Sequence, residues 1–165
     1  MKKIFLFLFV SVLFISCDTT TKNQTDKDDP MSGYMIGNDE KSDAMVKFTK
    51  AYQDNNLESV KTMFTEDAIF HVNDADISFD DLNQAFSAGH EFFDDIKHSE
   101  YHVSTMYYND GAIFTNYWYT WTATSKKTKE VLTLKGYCWF KWENGKVVEH
   151  WGGPHCQNGV GLMAE

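Results

Sequence analysis

The side chains able to do chemistry gather in the second half of this chain. His98-Ser99-Glu100-Tyr101-His102 has the look of a metal-ligand group, and His150 and His155 flank Gly152-Gly153-Pro154. The Val-Ser-Thr-Met-Tyr-Tyr that follows His102 reads as strand. On a strand His98 and His102 stand roughly 13 Å apart, four residues at about 3.3 Å each, too far for one zinc ion to bridge. No metal and no cofactor is therefore expected. His150 is the best single candidate for proton transfer. Buried, its imidazole would lose its charge and could act as a general base near pH 7. Glu149 points to the other side of the same strand and cannot orient it. A histidine that only positions a ligand by a hydrogen bond is the competing reading. The chain contains no Arg, which removes every mechanism that needs a bidentate guanidinium clamp.

These residues need a scaffold, and 165 residues suit one domain. The formal net charge of −9 makes nucleic acid and anionic headgroups poor partners. Met1-Lys2-Lys3 and the apolar stretch Ile4–Ile15, broken only by Ser11, read as a signal peptide over residues 1–16, too short to span a bilayer. Leu13-Phe14-Ile15-Ser16-Cys17 resembles a bacterial lipobox, with Phe14 in place of the usual Leu. That resemblance implies that Cys17 becomes a lipidated N-terminus in the cell envelope. Residues 17–40, rich in Thr, Asp and Asn, read as a flexible tether. The folded domain is expected over 41–156, with a tail at 157–165. In an exported protein Cys138 and Cys156 could form a disulfide, with Gly152-Gly153-Pro154 turning the chain back. Spacing alone does not show whether their Cβ atoms meet.

Within the domain, Ser42 can cap a helix carrying Met45, Phe48 and Tyr52, which Asp54-Asn55-Asn56 ends. Asn55 and Glu58 resemble a capping box for a second, short helix. Asp67–Val72 reads as a strand, and Ser78 with Asp81 starts a third helix bearing Leu82, Phe86 and Phe93. His98–Tyr108, Ala112–Thr124, Glu130–Trp142 and Lys146–Trp151 read as strands, with Asn109-Asp110-Gly111 and Glu143-Asn144-Gly145 as turns between them. Helices first and an antiparallel meander after make the fold class α+β. Both sides of Thr115–Trp121 and of Tyr137–Trp142 carry aromatic residues, so both want cover. One side would meet the helices and the other a second sheet, most simply in a homodimer.

The paired helices of Phe48–Met63, the run Phe64-Thr65-Glu66-Asp67-Ala68-Ile69-Phe70-His71, the third helix and the closing Asn144-Gly145-Lys146-Val147-Val148-Glu149-His150 together resemble the SnoaL-like branch of the nuclear transport factor 2-like superfamily. The likeness covers about residues 42–152. It implies a bent sheet wrapped around helices into a cone with one deep pocket, a scaffold shared by enzymes and binding modules alike. It also favours a three-residue turn at Asn144-Gly145, with Gly145 left-handed and Trp142 paired with Lys146; a two-residue turn would pair Glu143 with Lys146 instead. The first form puts Cys138 opposite His150 and Gly136 opposite Gly152. At Asn109-Asp110-Gly111 the same form pairs Ser104 with Asn116 and His102 with Trp118. The inward set is then His102, Ser104, Asn116, Trp118, Leu134, Cys138, Phe140, Val148 and His150, joined by Phe70 and Val72 through family parity. That set is an apolar cavity with a few polar groups, suited to a small, mostly apolar ligand. Tyr117, Tyr119, Trp121, Tyr137, Trp139 and Trp151 fall on the outer face, as a dimer seam or a carbohydrate platform.

The departures from catalytic relatives narrow the chemistry. Where ketosteroid isomerases carry a carboxylate base, the resemblance puts Val72. Limonene epoxide hydrolases need an Asp-Arg-Asp set that a chain without Arg cannot supply. Polyketide cyclases of this fold use an acid on the last strand, where Gly152 stands. Ligand binding is the leading expectation. An isomerase, cyclase or dehydratase using His150 is the alternative, and a dimeric interaction module the second alternative.

Overall fold

The computed structural model describes residues 29–72 and 74–152, so Cys17, His155 and Cys156 lie outside the described residues. The chain runs β1 (Gly33–Ile36), α1 (Glu40–Gln53), a 3₁₀ helix (Leu57–Met63), β2 (Phe64–Val72), β3 (Ala75–Ile77), α2 (Phe79–Phe92), β4 (Phe93–Tyr108), β5 (Ile113–Ser125), β6 (Val131–Glu143) and β7 (Lys146–Gly152). Three helices pack on one seven-stranded mixed sheet of order β1-β4-β5-β6-β7-β2-β3. Every pairing is antiparallel except β2 with β7. Among the described residues no helix is long and apolar enough to cross a membrane.

Local chemistry sets the helix ends. The cap of α1 is Asp39, whose carboxylate accepts from the Ser42 backbone N–H; Ser42 itself is buried one turn in, bonded to Thr105 across the core. Tyr107 and Thr105 also donate to Asp39, and these bonds outweigh the upward push of burial to hold its pKa down at about 2. The short helix has Asn56, not Asn55, at its start and lacks a side-chain cap. Ser78 and Asp81 form the expected reciprocal capping box for α2. Residues 33–36, within the stretch expected as tether, form the edge strand β1 against β4. Phe93 does not continue α2: it opens β4.

Bulges decide what the sheet presents. Extra residues shift the β4–β5 register between Asp94 and Lys97 and again between Ser99 and His102, where Asp95 and Glu100 take left-handed φ of 55° and 47°. The second shift separates the two histidines, since each one-residue slip swaps the faces. His98 pairs with Trp121 on the core side, whereas His102 pairs with Trp118 on the outside. At the last hairpin Glu143 pairs with Lys146 through two left-handed residues, Asn144 (φ 50°) and Gly145 (φ 79°). This is the two-residue turn and not the three-residue one. A bulge at Val148 then restores parity, so Phe140 lies opposite His150 and Cys138 opposite Gly152. His150 thus reaches the interior as expected, by a different route, and Val147 replaces Val148 as the inward valine. The Asn109-Asp110-Gly111 turn has the expected register.

Candidate functional site

The β5–β6 register pairs Tyr117 with Cys138, Thr115 with Phe140 and Tyr119 with Gly136. Odd residues of β5 therefore share a face with even residues of β6, and that shared face is the core. Tyr117, Tyr119 and Trp121 are buried inside, not on the outer face. The pairs His102–Trp118 and Ser104–Asn116 form as expected but on the far side of the sheet, joined there by Tyr137, Trp139 and Trp151. Of the expected inward set, Phe70, Cys138, Phe140 and His150 are buried, while Val72 and Leu134 are partly buried against the same core. His102, Ser104, Asn116 and Trp118 lie on the opposite face of the sheet, where Asn116 is nonetheless buried.

Beneath α1 and α2 the sheet encloses a cavity of about 30 Å³, room for a single water-sized group. It is lined by Phe48, Thr49 and Tyr52 of α1, by Phe86 of α2 and, from the sheet, by His98, Tyr119, Trp121, Cys138 and His150. Gly136 is what lets Tyr119 lie there. A Cβ at that position would come within 2.3 Å of the Tyr119 ring. Tyr119 in turn stacks on His98, with ring centroids 3.9 Å apart and planes 14° apart. His150 is enclosed by the rings of Phe48, Phe70 and Phe140. The Trp121 indole N–H donates to the Tyr52 hydroxyl at 3.0 Å, and the Tyr52 ring lies against Phe86.

His98 and His150 bring two imidazoles to this cavity, beside the polar groups of Thr49, Tyr52 and Tyr119. Burial pushes both imidazoles down to about 3, and a charge on nearby His71 adds a smaller push at His150. Both are neutral at pH 7. The Nδ1 atom of each is buried and has no hydrogen-bond partner, and leaving a buried polar atom unpaired costs roughly 1–3 kcal/mol. Such atoms call for a water or a ligand group to meet them. Among the described residues no three metal-ligating side chains gather in a way that could hold an ion.

On the opposite face His71 has the reverse chemistry. Its Nδ1 lies 2.6 Å from Asp76 and its Nε2 2.9 Å from Glu149. Burial works against its charge, but the two carboxylates win and raise its pKa.

Sequence reasoning singled out His150 but not His98, which it read only as half of a metal pair. From spacing alone Tyr52 and Phe86 are legible only as core positions on their helices. The signal that would have found His98 is the bulge at Glu100, and a left-handed glutamate has no sequence signature.

A mixed sheet covered by helices, with a cavity beneath them, defines a cone-shaped α+β domain. A profile for the SnoaL-like domain matches residues 45–150. The chain belongs to the SnoaL-like domain family. Among solved structures it is similar to AclR, a candidate hydroxylase from Streptomyces galilaeus, at 20% identity over 74% of this chain and 96% of that one, with a TM-score of 0.55. A candidate polyketide cyclase from Xanthomonas campestris pv. campestris matches at 10% identity, over 74% and 96% of the two chains, with a TM-score of 0.53. IdmH from Streptomyces antibioticus, also a candidate polyketide cyclase, matches at 18% identity, over 69% and 91%, with a TM-score of 0.53. At these identities the likeness shows the fold. No protein of curated function matches the sequence.

Proposed function

We propose that this domain binds a small, mostly apolar molecule in the cavity beneath α1 and α2, with its polar atom held between His98 and His150. The carrying observation is that both His98 and His150, each with a buried and unpartnered Nδ1, line one aromatic-walled cavity of about 30 Å³. Two neutral imidazoles suit a hydroxyl or carbonyl group better than a carboxylate, which would need a charged partner. A ligand larger than water requires lining side chains to move, and Phe86 is the one that α2 contributes. A lipid anchor at Cys17 would hold this domain in the cell envelope, and replacing Cys17 by Ser should then release the chain from the membrane fraction.

A second reading is favoured by the same neutral His150: an imidazole of this kind can accept a proton, so acid–base chemistry of the isomerase, cyclase or dehydratase type fits the site. His102 has no part in it, since it lies on the other face. The small volume of the cavity favours the non-catalytic readings over this one. The test is solvent extraction and mass spectrometry of the full-length protein purified from its native host. A near-stoichiometric small molecule is expected, and it should be lost from His150→Phe protein. An empty wild-type protein whose His98 and His150 ring signals do not shift with any of a panel of neutral phenols and ketones would defeat the reading.

A further inference from the structure

All but three of the side chains that line the cavity are buried. The exceptions, each partly exposed, are Tyr52 of α1, Phe86 of α2 and His98 of β4. Their rings form one group: the Tyr52 centroid lies 4.7 Å from that of Phe86 and 5.4 Å from that of His98. The way from solvent to the buried His150 therefore passes between these three rings. Two of them are firmly held. The Tyr52 hydroxyl accepts from the Trp121 indole at 3.0 Å. His98 stacks on Tyr119, and its backbone N–H donates to the Gln53 side chain at 3.1 Å. Phe86 stands on a helix whose hold on the core is uneven.

The buried residues of α2, Phe79 and Leu82, both lie at its start. From Asn83 to Phe92 no residue is buried, and burial resumes at Phe93, where β4 begins. Gly89 falls inside this stretch. A Cβ placed there would meet nothing within 4 Å, so no close approach calls for a glycine, and its effect on a helix is to weaken it. His90 is what fastens the stretch to α1. Its Nε2 donates to the Tyr52 backbone carbonyl at 2.8 Å, and the two rings lie edge to face at 5.7 Å. Lys126 donates to the carbonyls of His90 and Phe92 at the end of the helix. Firm anchors at Leu82 and Phe93 thus bracket a weak segment that carries Phe86 and is latched by an imidazole.

We propose that residues 83–92 of α2 are the gate of the cavity: the segment loosens about Gly89, carries Phe86 away from Tyr52, and is latched shut by the bond from His90 to the Tyr52 carbonyl. The purpose of such a gate rests on reading the cavity as a binding site, but its test needs no ligand. Diethyl pyrocarbonate, a small neutral reagent for unprotonated imidazoles, is applied at pH 7 to the full-length protein, kept below one modification per molecule. Peptide mass spectrometry then gives the rate at His150 relative to that at His102, which is exposed on the other face. Gly89→Ala should slow His150 about two- to fivefold, the preference of a helix for Ala over Gly. His90→Ala should speed it about two- to tenfold, the worth of one hydrogen bond. Leu57→Ala, a buried truncation on the 3₁₀ helix that does not line the cavity, should leave the rate unchanged. The proposal is overturned if Gly89→Ala fails to slow His150 or His90→Ala fails to speed it. It is also overturned if Leu57→Ala speeds it as much as His90→Ala, because His150 would then be reached by unfolding of the whole domain. A wild-type protein that extracts empty while these rates hold would remove the ligand and leave the gate.

Discussion

On the inner face of the sheet His98 and His150 lie among aromatic rings with no carboxylate to answer a charge; on the outer face His71 sits between two carboxylates, Asp76 and Glu149. The same side chain is held neutral on one side of a single sheet layer and biased toward the cation on the other. Aromatic rings follow the same division. Phe140, fully buried, touches Phe48, Phe64, Trp142 and His150, whereas Trp118 keeps 43% of its surface in solvent. The difference lies in what surrounds each side chain, and the bulges at Asp95, Glu100 and Val148 decide which surroundings each one meets. The sharpest way to break this comparison is to truncate one ring on each face. Phe140→Ala should cost about 3–5 kcal/mol of unfolding free energy, and Trp118→Ala about 1 kcal/mol or less. Urea denaturation of both variants measures this, and comparable losses would mean that the outer row is also core.

The next test separates the faces by pH. His98 and His150 have folded-state values of about 3 against an ordinary 6.5, so between those limits the unfolded chain binds more protons than the folded one. Their contribution is complete above pH 6.5 and is lost as pH falls toward 3. At pH 5 unfolding should take up about two protons on their account, and His150→Phe should remove about one. A denaturation midpoint that stays flat from pH 7 to pH 4.5 would show that the inner imidazoles already find a partner.

Most of this architecture is legible in the residues. The Ser78–Asp81 capping box, the Asn109-Asp110-Gly111 turn and the four long strands follow from caps, turn residues and β-branched or aromatic runs. The assignment of faces does not. Alternation reveals parity only where one face is polar, and in Thr115–Trp121 both faces carry large aromatic side chains. Parity then depends on residue counts at turns and bulges. Reading His102, Asn116 and Trp118 on the same face as Cys138 and Phe140 needs an even register sum across β5 and β6; the observed pairs, such as Tyr117 with Cys138, make it odd. His150 came out inward because two differences compensated: a turn one residue shorter and a bulge one residue longer. β1 and β3 were missed because each has at most four residues and depends on pairing with a longer neighbour.

The smallest effect expected is also the one that links the faces. His71 and His150 stand on neighbouring strands, with Phe70 opposite His150 and His71 opposite Trp151, and a positive charge on His71 lowers the pKa of His150. Because the folded-state value of His71 is raised, its contribution to stability is complete below pH 6.5 and is lost as pH rises through that value. Asp76→Asn and Glu149→Gln should each lower the His71 pKa in an NMR titration. Neither should cost more than about 1 kcal/mol at pH 6, since Asp76 is largely exposed and water screens the pair. Asp76→Asn should have the larger effect on the pKa, because Asp76 makes the shorter contact with the ring and the larger upward push. His71→Gln should then let the His150 value rise slightly by removing the repelling charge, without bringing it near 6.5, since burial is the larger cause and is unchanged. A His150 that titrated normally in His71→Gln protein would mean that charge repulsion, and not the aromatic enclosure, keeps it neutral.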